Sequence, residues 1–187
     1  MIEEINEYFK EAINHMDEAM HHLNEELLKI RTGKASPAML KGILVDYYDN
    51  PTPLAQVANL GTADAKTLTI QPWEKKMIAP IERAIFAANL GLTPQNDGEL
   101  IRINIPPLTE DRRKEMVKVA KAVGEDAKVS LRSTRHKLMD FIKKAVKDGF
   151  PEDGGKRKED EIQKLMDKYG AEVDSTVKSK ETDIMTV

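Results

Sequence analysis

The sequence predicts an α+β protein that is mainly α: three long helices forming one bundle, with a small β-rich α+β domain inserted between the first and second. Three observations carry this. Apolar residues recur every three or four positions over residues 2–31, from 109 to about 147, and again after 151, which places them on one stripe of a helix. Short β-prone segments are confined to residues 32–106. Gly33 at one end of that block and Pro106-Pro107 at the other punctuate the chain where its character changes. The expected domains are therefore a three-helix bundle of residues 1–31 and 107–187 and an inserted domain of residues 32–106.

In the first helix Ile5, Phe9, Ala12, Met16, Ala19, Leu23, Leu27 and Ile30 form the stripe. Glu3, Glu4 and Glu7 suit the positive end of the helix dipole, and Gly33 is the expected left-handed C-cap. In the inserted block, residues 42–48 (GILVDYY), Val57–Leu60, Thr67–Gln71 and Leu100–Ile105 read as strands, with Asn50-Pro51-Thr52-Pro53 as a turn. Lys76–Leu90 reads as a short helix whose first turn holds Pro80, and Gly91 and Pro94 read as breaks. Tyr47, Tyr48 and Trp73 are expected mostly in that domain's core, with one of them free for a partner.

Pro106-Pro107 makes a stiff extended joint. Thr109 is the expected N-cap of the second long helix, with Glu110 and Asp111 in its first turn. Met116, Ala120, Val123, Ala127, Leu131, Leu138 and Ala145 mark its buried stripe. The turn at residues 148–151 leads to a third helix with Ile162, Leu165, Tyr169, Val173 and Val177 inward; Gly154-Gly155 leaves its start open. None of these stripes can be buried alone, so the three helices must pack together. Only two stretches of chain join the parts, Thr32, Gly33, Lys34 and Ala35 on one side and Ile105, Pro106 and Pro107 on the other, and a two-strand joint of this kind is a hinge candidate.

Charge is unevenly distributed within a net of −3 over 187 residues. Residues 1–31 carry −5, residues 105–150 carry +5, and residues 151–187 carry −3. The basic segment is the second long helix, where Lys118, Lys121, Lys128, Arg132 and Arg135 share one face beside the apolar stripe. Such a row suits the phosphate backbone of structured RNA. The same residues would also suit an ordinary solvated face, paired to Glu125 and to the acidic helices.

Other chemistries find little support. The chain has no cysteine, so disulfides and thiolate chemistry are excluded, as fits a reducing cytosol. The acidic start Met1-Ile2-Glu3-Glu4 is unlike a signal or transit peptide, and every apolar run is too short to span a bilayer. His15 and His22 could share a helix face with Glu18 and Glu25, but no clustered metal-ligand pattern is present. Gly33-Lys34 and Gly155-Lys156 lack the earlier glycine of a phosphate loop, since Leu28 and Phe150 stand there. No acid/base pair or nucleophile context emerges, so no catalytic residue, metal or cofactor is expected. A coiled-coil scaffold for protein partners is the alternative to an RNA binder.

Four motifs in order resemble the bacterial ribosome recycling factor family: residues 29–37 (KIRTGKASP), residues 47–54 (YYDNPTPL), residues 105–114 (IPPLTEDRRK), and Arg132-Ser133-Thr134-Arg135. The resemblance spans essentially the whole chain. It implies an L-shaped, non-enzymatic cytoplasmic protein, expected as a monomer, whose bundle contacts rRNA of the large ribosomal subunit. It implies rRNA contacts at Arg31, Arg132 and Arg135, with Arg112 and Arg113 near the joint. Elongation factor G is the implied partner of the inserted domain, and separation of the subunits after termination, with GTP, is the implied outcome.

Overall fold

The computed structural model describes residues 1–186. The chain forms two compact units, one of Met1–Ile30 with Arg113–Thr186 and one of Arg31–Arg112. Each has its own cluster of buried apolar side chains.

The first unit is built from α1 (Ile2–Leu28), most of α4 (Glu110–Lys147) and α5 (Glu152–Met185). Their apolar stripes meet in one core that includes Ile5, Met16 and Leu23 of α1, Leu131, Leu138 and Ile142 of α4, and Ile162, Val173 and Ile184 of α5. The observed stripes drift from the expected ones: Met116, Val123 and Leu165 are only half buried, while Gly124 and Ile142 lie inside. Gly124 is a close-approach position, because a Cβ there would stand 2.6 Å from a methyl of Val177. Gly155 does the same against Val146, also at 2.6 Å. A stacked Tyr8–Phe141 pair, centroids 4.2 Å apart, and the Tyr169 hydroxyl donating to Asp17 at 2.5 Å tie α1 to its neighbours.

Several boundaries differ from expectation. Helix α1 stops at Leu28, because the amides of Lys29 and Ile30 bond back three residues to Glu26 and Leu27 at 3.2 and 3.1 Å and tighten the last turn. Gly33 does adopt φ +76°, but in the loop beyond the helix and not as its cap. Thr109 caps α4 as expected, its hydroxyl accepting from the amide of Arg112 at 3.2 Å. Helix α5 begins before the glycine pair, at Glu152.

The second unit has a hairpin of β1 (Leu44–Tyr47) and β2 (Asn50–Pro53), and a four-stranded antiparallel sheet of β3 (Ala58–Asp64), β4 (Thr67–Pro72), β5 (Pro94–Asn96) and β6 (Ile101–Asn104) in the order β3-β4-β6-β5. The stretch expected as a turn at Asn50–Pro53 is a strand, and the turn is Tyr48-Asp49, both at positive φ as a two-residue hairpin loop demands. Leu54–Val57 is one helical turn, α2, so Val57 precedes the strand it was expected to start. Pro94 opens an unanticipated strand at the sheet edge, where a missing amide costs no ladder bond. Helix α3 (Ile78–Ala87) carries Pro80 in its first turn and buries Ile81 and Ile85 in this unit's core. Tyr47 is half buried, while Tyr48 and Trp73 are exposed. No helix among the described residues is long and apolar enough to cross a membrane.

Candidate nucleic-acid interface

Helix α4 supplies the candidate surface. Its apolar stripe is turned into the bundle, and Lys118, Lys121, Arg132 and Arg135 are exposed beside it. Lys128 differs: its stem is half buried, and its ammonium lies 2.6 Å from the Asp174 carboxylate of α5 and 4.0 Å from Glu125. The hydrogen bond to Asp174 raises its pKa, so it stays charged throughout the physiological range. One guanidinium nitrogen of Arg132 is 3.9 Å from Glu125. Arg135 donates to the amide oxygen of Gln163 on α5 at 3.3 Å, and the Gln163 amide nitrogen donates to Asp167 at 2.9 Å. Lys118 and Lys121 have no ion pair or hydrogen bond among the described residues. The paired-face reading of these charges therefore fits Lys128 and in part Arg132, while Lys118, Lys121 and Arg135 have no carboxylate partner among the described residues.

This geometry sits in a chain whose residues 23–185 match the sequence profile described as ribosome recycling factor. The chain belongs to the ribosome recycling factor family. The ribosome-recycling factor of Porphyromonas gingivalis is 51% identical over 185 residues, covering 98% of this chain and 100% of its own length. That of Cytophaga hutchinsonii is 48% identical over 186 residues, with full coverage of both. A solution structure of a ribosome recycling factor superposes with a TM-score of 0.83 at 35% identity, covering all of both chains. A second structure, of the T. thermophilus ribosome recycling factor with E. coli elongation factor G bound to the E. coli post-termination complex, has a TM-score of 0.68 at 38% identity and covers 97% of this chain and 99% of that one.

Against this recycling-factor background, the remaining expected site residues fall as follows. Arg31 lies beyond α1 in the second unit, where its guanidinium donates to the Leu90 carbonyl. The hinge candidates Thr32, Gly33, Lys34, Ala35, Ile105, Pro106 and Pro107 also lie within the second unit. Two of them are tied to one turn there: the amide of Ala35 donates to Ala65 at 2.8 Å and that of Ile105 to Lys66 at 2.7 Å. The chain crosses between units at Ile30/Arg31 and at Arg112/Arg113, the second crossing being inside α4.

Arg113 was not anticipated as a core residue. It is 9% exposed and donates to the carbonyls of Ile184 and Thr186 at 3.0 and 3.1 Å, which anchors the end of α5. A signal for it was available, since Arg113, Ala120 and Ala127 are spaced by seven and share the buried stripe. The histidines pair only at the surface, His15 with Glu18 at 3.4 Å, His21 with Glu25 at 3.4 Å and His136 with Asp140 at 3.3 Å. No group of three or more metal-type side chains occurs among the described residues.

Proposed function

We propose that this protein binds rRNA of the large ribosomal subunit through the exposed face of α4 and, with elongation factor G and GTP, promotes separation of the subunits after termination. Family membership supports the overall reading. The observation that carries the site is the row of Lys118, Lys121, Arg132 and Arg135 on one long helix whose neighbouring face is fixed in the bundle core. A cationic row along a long helix meets a phosphate backbone at several points, and the planar forks of the two arginines add bidentate contacts. In this reading the bundle is the rRNA-binding arm, and the protein works by binding in the cytoplasm, leaving nucleotide hydrolysis to the elongation factor. Lys128 would join the contact only by leaving Asp174, whereas Arg31, bonded to the neutral Leu90 carbonyl, keeps its charge and its other donors.

The hinge belongs to the same proposal. Ala35 and Ile105 are hydrogen-bonded into the second unit, so bending is assigned to the segments of that unit next to the crossings, Thr32, Gly33 and Lys34 after the first and the stretch from Pro106 to the start of α4 before the second. Gly33 tolerates the angles such bending needs, and Pro106 and Pro107 have no amide to lose.

Cosedimentation with separated large and small subunits over a salt series tests the proposal. About four phosphate contacts to irregular RNA predict a log–log slope of affinity on salt of about −3. Salt-independent binding, or preference for the small subunit, would refute it.

A further inference from the structure

We propose that α5 determines which α4 cations meet RNA: Asp174 withholds Lys128, and Gln163 aims Arg135. This rests on the α4 face being the RNA contact.

The two tethers differ in charge. Asp174 places a carboxylate oxygen 2.6 Å from the Lys128 ammonium, where a phosphate oxygen would otherwise stand. Binding a phosphate there exchanges one anion for another. A lysine already neutralised by a carboxylate of the protein does not neutralise an RNA phosphate, so it displaces no counterion condensed on the RNA and adds little to the salt-dependent part of affinity. The pair is a surface one, with side chains 31% and 67% exposed, and such pairs contribute little to fold stability. Its weight lies in the charge it removes from the middle of the row. Glu125 adds to the same effect, lying 4.0 Å from Lys128 and 3.9 Å from Arg132.

Gln163 is neutral. It accepts one N–H of Arg135 at 3.3 Å and leaves the positive charge and the other donors available. Its own amide is fixed by Asp167 at 2.9 Å, so the oxygen is held toward α4. A guanidinium ordered before binding loses less freedom when it meets its partner. Lys118 and Lys121 have neither kind of tether among the described residues. One helix thus presents untethered, aimed and withheld cations along a single face, and α5 makes the difference.

Salt series on purified large subunits with the full-length protein test this. Asp174→Asn should make the log–log slope more negative by about 0.7–0.9, the value of one added phosphate contact, and tighten binding about threefold to tenfold at low salt. The gain should vanish in the Lys128→Met/Asp174→Asn double variant. Lys128→Met alone should shift the slope less than Arg135→Ala does. Gln163→Ala should weaken binding severalfold with the slope unchanged, because the charge remains. Gln163→Glu should flatten the slope by about 0.7–0.9, because Arg135 is then neutralised. Asp174 and Gln163 are both exposed, and unchanged circular dichroism melts verify that each variant is folded. The inference is overturned if Asp174→Asn leaves the slope unchanged or flattens it, if its gain persists without Lys128, or if Gln163→Ala binds normally. If the unaltered protein shows no salt dependence, the RNA contact itself is wrong and this inference goes with it; if it shows the slope and the variants do not respond, only the role of α5 fails.

Discussion

Replacing Gly124 and Gly170 by alanine, one at a time, should stabilise the protein only at Gly170, although both glycines are interior to long helices. An exposed helical glycine gives up about 0.8–1.0 kcal/mol relative to alanine. At Gly170 an added Cβ would meet nothing within 4 Å, so the whole gain should be realised. At Gly124 the Cβ would stand 2.6 Å from a Val177 methyl and 3.7 Å from its Cβ, and valine has little rotamer freedom with which to retreat. Reaching ordinary contact requires α4 and α5 to part by most of an ångström, and overpacking of this kind costs about 1–3 kcal/mol. Gly124→Ala should therefore be neutral to about 2 kcal/mol destabilising. For a chain of this size each kcal/mol is about 2–4 °C in melting temperature. Far-UV circular dichroism should be the readout, because the helices of the bundle dominate it; the one tryptophan, Trp73, sits in the other unit and serves as an internal control. Adding Val177→Ala to Gly124→Ala should relieve the clash and return part of the loss, a coupling that independent sites would not show. The close-packing argument fails if Gly124→Ala melts at or above Gly170→Ala.

Arg135→Ala should leave stability within about 0.5 kcal/mol while weakening large-subunit binding, whereas Leu131→Ala, one turn away and 1% exposed, should cost about 2–5 kcal/mol by opening a cavity; comparable stability losses from both would show that the α4 register is misplaced. Burial, and then the hydrogen bond to Asp17, push the Tyr169 phenol up to about 12. Because an unfolded tyrosine releases its proton near pH 10, the stability linked to this group is fully present below that pH and should be lost as pH rises through about 12, at up to about 1.4 kcal/mol per unit. Tyr169→Phe should flatten that alkaline decline in denaturation midpoints measured across pH; an unchanged decline would assign it to other groups.

The long helices were legible because each has to bury a stripe, and a stripe leaves a 3.6-residue period in the sequence. What escaped depends on packing between segments. Gly155 reads as a weak point of a helix and Gly124 gives no signal at all, yet at both an added Cβ would stand 2.6 Å from a valine methyl of the neighbouring helix. Arg113 reads as one of a pair of surface arginines, but the carbonyls of Ile184 and Thr186 that make its burial tolerable lie about 70 residues away along the chain. In the second unit proline misled in two ways. Asn50–Pro53 looked like a turn and Pro94 like a break, because edge strands tolerate proline and sequence does not announce which strand is an edge. At the candidate interface the residue types on α4 were readable from their spacing. Which of them is neutralised was not, since Asp174 and Gln163 reach Lys128 and Arg135 from a different helix.

The bonds from Ala35 to Ala65 and from Ile105 to Lys66 pin both ends of the inserted segment to one turn between β3 and β4. That has a consequence for how the chain assembles. Before the second unit forms, α1 must find α4 and α5 across a loop of about 80 residues, and closing a loop carries an entropic cost that grows with the logarithm of its length. Once Ala35 and Ile105 are held at adjacent residues, that loop shrinks to the few residues flanking them. The saving is about 2 kcal/mol for a tenfold shortening. Formation of the inserted sheet would thus act as a clasp in folding, shortening the loop that α1 must close to reach α4 and α5 and raising the local concentration at which the bundle's two pieces meet.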